Sequence, residues 1–217
     1  MITKLLSIPK TIWFNLKYLP LKQAVRLPVW VHWNTHVRVQ RGGIVLKGLV
    51  TLAQVRYGFH EVPVMNFKDQ SSIIIDEGGK LIFEGTAHIG KGTKINVSGG
   101  VLTLGNDFKV SASTQINCYH KITFGKDIQF AWDCLVMDSD THKIFDENDY
   151  RINEDKEIIL GDSIWIGCRS TILKGSVIPS NTVIGACSFV SGKGFESKSI
   201  IAGVPAIILK KIGRWEL

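Results

Sequence analysis

Six aliphatic residues toward the C-terminal end recur at one interval: Leu160, Ile166, Ile172, Ile178, Ile184 and Val190. An α-helix repeats its buried face every three to four residues and a half-buried strand every two, so neither accommodates a period of six. A solenoid with three flat sides does. Each side takes one hexad, and each aliphatic side chain enters the same narrow core. Glycine follows the aliphatic residue at Gly161, Gly167 and Gly185, where it is expected to allow a tight turn. Four positions after the aliphatic residue stand Ile164, Ser170, Ser176, Thr182 and Ser188, mostly small enough to fill the remaining inward position. The period is traceable upstream with breaks in phase, through Phe83, Ile89 and Ile95, then Leu104, Val110, Ile116 and Ile122, then Phe124, Phe130 and Val136. The chain is therefore expected to be mainly β, a parallel β-helix.

The breaks mark uneven coils or loops at corners, where solenoids often carry function. The longest is the polar run HKIFDENDYRINEDKE from His142, expected to project as a loop over 142–158. Residues 1–28 read as a basic helical arm, 29–206 as the β-helix domain and 207–217 as a tail. The arm reads as two helical pieces. Ser7 caps the second, which opens at Pro9 and carries Ile12, Leu16 and Leu19 on one face. After Pro28 the residues alternate. Val29, Val31, Trp33, Thr35, Val37 and Val39 share one face, the periodicity of a strand. The final segment, SIIAGVPAIILKKIGRWEL, is expected to form a short helix that closes the open end.

Charge is uneven along the 217 residues. Nine Lys or Arg precede Glu61, the first acidic residue, so the whole net charge of +7 arises at the N-terminal end. Such an end attracts anionic membranes or glycans, or it is simply a solvated face. Nucleic acid is not expected, since no binding motif accompanies the charge. No apolar stretch approaches the roughly 20 residues of a membrane span. The first residues are broken by Lys10 and Lys17 with no small-residue cleavage site, so no signal peptide is expected. Cys118, Cys134, Cys168 and Cys187 are scattered without a C-x-x-C pair, which favours a reduced, cytoplasmic protein.

The segment IGCRSTILKGSVIPSNTVIGACSFVSG, followed by AGVPAIILKKI, resembles the left-handed β-helix acyltransferases of the hexapeptide-repeat family. Within that family the chain is similar to bacterial polysaccharide O-acetyltransferases and to galactoside and maltose acetyltransferases, over roughly residues 80–212. The resemblance implies left-handed coiling, which periodicity alone does not establish because crossovers are generally right-handed. It implies acetyl transfer from acetyl-CoA to a saccharide hydroxyl, a homotrimer with active sites between subunits, and a histidine general base. The candidate base is His142 in Met137-Asp138-Ser139-Asp140-Thr141-His142. Imidazole is neutral near pH 7 yet basic enough to take a proton. Asp138, Asp140 or a backbone carbonyl is the candidate to orient it. By the same resemblance Asn117 contacts the acceptor and Trp165 lies near the thioester. The Cys168 N–H donates to the oxyanion, and Ala202, Gly203, Pro205 and Ala206 border the cofactor arm. Lys210, Lys211 or Lys193 meets phosphates. No metal is required. Peripheral membrane contact through the basic arm is a further expectation.

Rival readings are weaker. A γ-class carbonic anhydrase needs three histidines around zinc, two of them with four residues between them, and no H-x4-H exists here, since His32 and His36 are too close together and lie outside the repeat. A sugar-nucleotide N-acetyltransferase commonly adds an α/β nucleotide domain, and the first 80 residues lack its Gly-rich signature. A serine acetyltransferase adds a large helical domain. A non-catalytic scaffold needs neither His142 nor the AGVPA motif.

Overall fold

The computed structural model describes residues 2–63 and 68–216. The chain is a left-handed parallel β-helix. Among the described residues three sheets form its sides, of nine, seven and six strands. Successive coils stack in parallel register, so that Ile166 lies on Ile184, three hexads further on. The strand Ile128–Trp132 of the nine-stranded sheet leads to Leu135–Met137 of the seven-stranded sheet, and a long loop then leads to Ile158–Leu160 of the six-stranded sheet. The next coil repeats the circuit through Ile164–Ile166, Thr171–Leu173 and Val177–Ile178.

The six-residue pattern is the core. Leu160, Ile166, Ile172, Ile178, Ile184 and Val190 are all buried, as are the earlier runs. The inward hydroxyls are buried too, and corner carbonyls satisfy them. Ser170 donates to Gly185 O at 2.9 Å, Ser176 to Leu173 O at 2.6 Å and Thr182 to Pro179 O at 2.7 Å. A small polar residue is thus tolerated in the core because it closes a hydrogen bond there.

The glycines act differently from expectation. Gly161, Gly167 and Gly185 are not the left-handed residues of the corners. Those residues are Ser163, Arg169 and Cys187, two positions later. A Cβ at Gly167 would stand 2.5 Å from Ala186 N, and one at Gly161 2.6 Å from Ser180 Oγ. These glycines let one coil approach the next.

The N-terminal arm departs furthest from its sequence reading. Helix α1 runs unbroken from Ile2 to Tyr18 with Pro9 inside it, and α2 spans Leu21–Ala24. Ser7 is interior to α1 rather than its cap, donating to Thr3 O at 2.7 Å. Ile12 and Leu16 are exposed, and only Leu19 of the expected stripe is buried. The helix instead turns Ser7, Thr11, Phe14, Asn15 and Tyr18 inward. The reason lies in its neighbour. Strand Val29–Val31 ends the nine-stranded sheet, and an edge strand carries unpaired backbone groups. Asn15 accepts from Val29 N at 3.1 Å and donates to Val29 O at 2.7 Å. Thr11 accepts from Val31 N at 3.1 Å, and Ser7 from Trp33 N at 3.0 Å. Four helical residues rise about 6 Å and two strand residues about 6.6 Å, so every fourth helix position meets every second strand position. The polar face is inside because it replaces a missing strand.

The single strand expected after Pro28 is two, Val29–Val31 and His36–Val39, with a corner between them that exposes Trp33. At the other end the described residues form no closing helix. Ser199–Gly203 and Ala206–Lys211 make an antiparallel hairpin, because alternating side chains flank a Gly-Val-Pro turn.

Candidate functional site

His142 begins the projecting loop at the corner between the seven- and six-stranded sheets. Its backbone is held tightly. Its N–H donates to Asp140 O at 2.7 Å, and its carbonyl accepts from Asn153 Nδ2 at 2.8 Å. The imidazole is exposed and makes no hydrogen bond among the described residues.

Neither expected aspartate touches that ring. Asp138 is fully buried, and its two oxygens accept from Tyr119 N at 2.8 Å and His120 N at 3.0 Å. It ties one coil to the next. Its charge adds to burial in pushing the Cys118 thiol up, which makes that cysteine an inert core residue. Asp140 accepts from Lys174 Nζ at 2.5 Å and Asn153 Nδ2 at 2.9 Å. These two hydrogen bonds, the Lys174 one first, hold its carboxyl below the usual range. Asn153 closes the loop base by accepting from Ile144 N at 2.7 Å. Lys174 also donates to Asn153 O at 3.0 Å. Asn153 and Lys174 therefore position the His142 backbone. The sequence reading missed both because they lie 11 and 32 residues away, and no motif marks them.

Asn117 lies on the outer face of the seven-stranded sheet, paired in register with Met137. It shares that face with the strand that leads to His142.

The cofactor candidates stand elsewhere. Trp165 is half exposed on the outer face of the nine-stranded sheet, 6.4 Å from the ring of Trp215. Cys168 sits at the corner that follows it, and its N–H donates to nothing among the described residues. In register with Trp165, Val183, Ile200 and Lys210 continue the outer face. Ala202, Gly203, Pro205 and Ala206 build the hairpin turn, with Gly203 at φ 107°. Lys211 is ion-paired to Glu196. Lys210 pairs with no carboxylate among the described residues, and Lys193 is exposed. One chain thus brings Trp165, Cys168, Lys210 and the hairpin together and leaves His142 and Asn117 on another side. His142 and Cys168 stand at opposite edges of the seven-stranded sheet, whose outer face carries Asn117. A strand of three residues such as Thr171–Leu173 separates them by roughly 10 Å.

The outer column containing Trp165 holds a second feature that the sequence did not disclose. Trp30, Arg56, His88, Lys109, Gln129 and Trp165 stand in register on consecutive strands. Beside them lies a cavity of about 720 Å³ whose lining includes Lys4, Trp30, Arg56, His60, His88 and Lys109. Burial, then Arg56 and Lys109, lowers the His88 pKa, and Trp30 Nε1 is buried without a partner among the described residues. Such a groove offers donors and positive charge. Its residues come from five different coils, so only stacking reveals it. Among the described residues no three His, Cys, Asp or Glu side chains gather as metal ligands. No described helix is long and apolar enough to cross a membrane.

No family model matches the chain. It is 28% identical over 148 residues to the putative lipopolysaccharide biosynthesis O-acetyl transferase WbbJ of Escherichia coli (strain K12), covering 63% of this chain and 74% of that one. It is 34% identical over 126 residues to a polysialic acid O-acetyltransferase of Escherichia coli O1:K1 / APEC, covering 58% of this chain and 39% of that one. The crystal structure of the polySia-specific acetyltransferase NeuO superposes with a TM-score of 0.56 at 26% identity, over 85% of this chain and 89% of that one.

Proposed function

We propose that the chain is a hexapeptide-repeat acyltransferase, like the O-acetyltransferases it is similar to, and that it moves an acetyl group from acetyl-CoA to a saccharide hydroxyl in surface-polysaccharide biosynthesis. The observation that supports the reading is an exposed His142 at one corner of the solenoid and a Cys168 N–H without an acceptor among the described residues at another. His142 is the general base. Its imidazole takes the hydroxyl proton as the acceptor oxygen bonds to the thioester carbonyl. The Cys168 N–H, free of other partners among the described residues, donates to the developing oxyanion. Collapse breaks the C–S bond, and the imidazolium returns the proton to the departing thiolate. The coenzyme arm follows the outer face from Trp165 past Val183 and Ile200 to Lys210.

A homotrimer completes the site, with His142 and Asn117 of one chain facing Trp165 and Cys168 of the next. Three-fold closure is a standard assembly. The acceptor continues along the column of Gln129, Lys109, His88 and Arg56. A cytoplasmic location with peripheral membrane contact through the basic arm belongs to the same reading.

The test is release of coenzyme A across a panel of saccharide acceptors. His142→Ala is expected to lower kcat by about 10²–10⁴ while leaving the melting temperature unchanged, because the imidazole is exposed and unpartnered. A variant with full activity would refute the base assignment.

A further inference from the structure

Because the polar face of α1 is spent on the sheet edge, its apolar face is left outside. Ile2, Leu5, Leu6, Pro9, Ile12, Trp13 and Leu16 follow one another at spacings of three and one, which is one side of a helix. Their exposures include 73% at Ile2, 60% at Leu5 and 55% at Leu16. Leu21 and Val25 extend the surface at 70% and 65%. A soluble face is rarely so uniformly apolar over some 25 Å of helix.

The border of this face is cationic. Lys17 and Lys22 pair with no carboxylate among the described residues, whereas Lys4 is turned to the cavity beside Trp30. Lys17 Nζ lies 4.8 Å from the Trp13 ring centroid and 5.2 Å from that of Tyr18, a cation held over aromatic faces at the edge of the stripe. Lys10 is not available, since it donates to Trp33 O and Thr35 O. No acidic residue occurs before Glu61. A second copy of this end would therefore bring cations against cations.

We propose that the outward face of α1 lies on an anionic lipid bilayer, with its leucines and tryptophan in the interfacial layer and its lysines at the headgroups. An apolar stripe bordered by lysine and containing tryptophan is the chemistry that this layer accepts. The N-terminal end of the solenoid then rests on the membrane. The proposal deepens the membrane contact named above by assigning it to one face of α1, and the acetyl-transfer chemistry does not depend on it.

Flotation of the full chain with vesicles tests it. The protein is expected to float with phosphatidylcholine vesicles containing phosphatidylglycerol, less with phosphatidylcholine alone, and less as salt rises. Each of Lys17→Gln and Lys22→Gln should weaken binding about fivefold. Leu5→Ser, Leu6→Ser and Leu16→Ser together should abolish it without lowering the melting temperature, because all three side chains already face solvent. Failure of the wild type to float with anionic vesicles at low salt would overturn the proposal. So would a triple variant that floats unchanged. A fall in solution mass of the triple variant would also overturn it, since that result places a second copy on this face. Coenzyme A binding by calorimetry is read in parallel. Binding without flotation sinks the membrane proposal alone, and flotation without binding sinks the transferase reading alone.

Discussion

The two ends of the solenoid solve one problem in opposite ways. A stack of parallel coils exposes an unpaired strand edge at each end, and an open edge invites pairing with other chains. At the C-terminal end the chain supplies backbone, with Ala206–Lys211 added antiparallel to Ser199–Gly203. At the N-terminal end it supplies side chains, with Ser7, Thr11 and Asn15 taking the strand's place. The hairpin leaves side chains on both faces of a strand. The helix spends its polar face and so leaves an apolar one exposed. Closing an edge with a helix thus creates a docking surface that closing it with a strand does not.

This contrast makes the N-terminal closure depend on few side chains. Phe14 is fully buried on the inward face of α1 and meets Tyr18 edge-to-face, ring centroids 5.1 Å apart. Phe14→Ala should cost about 3–5 kcal/mol, read as loss of amide protection at Val29 and Val31 in hydrogen exchange. Asn15→Ala removes both partners of Val29 and should cost about 1–3 kcal/mol at the same amides. Ile208 packs only partly against the core, so Ile208→Ala should cost about 1 kcal/mol at the hairpin. Equal losses at the two ends would erase the distinction.

The smallest effect is acid sensitivity. His32 is buried near the N-terminal end, and burial, then Lys91, lowers its pKa below 6.5. The folded chain refuses a proton that the unfolded chain accepts. Stability from this residue is therefore complete above pH 6.5 and declines as pH falls toward the folded value. Protection at Val29 and Val31 should fall between pH 7 and pH 5, while that of Ser199–Gly203 should not. A fall of equal size at both ends would point to another titrating group.

What the sequence disclosed follows from range. The hexads from Leu160 to Val190 were readable because each residue's burial depends on position within a coil, a local property. The arm was misread because amphipathic reasoning assumes that apolar residues point inward, and at α1 the unpaired edge of Val29–Val31 reversed that. At Gly167 glycine's conformational freedom is visible in sequence and points to a turn, whereas the approach of Ala186 is not visible there. In the candidate site, His142 could be proposed from the loop it opens. Its supports Asn153 and Lys174 could not, nor could the Arg56–His88–Lys109 column, because stacking alone brings them together.

The central claim is that the site is complete only between chains, His142 from one and Trp165 with Cys168 from the next. Co-expression of His142→Ala with Trp165→Ala tests it, each variant carrying a different tag so that mixed assemblies can be purified and assayed for coenzyme A release. The account predicts two nearly inactive parents and a mixed assembly that regains a substantial fraction of wild-type activity, because some of its interfaces join two intact halves. A mixed assembly no more active than its parents would place both halves in one chain and contradict it.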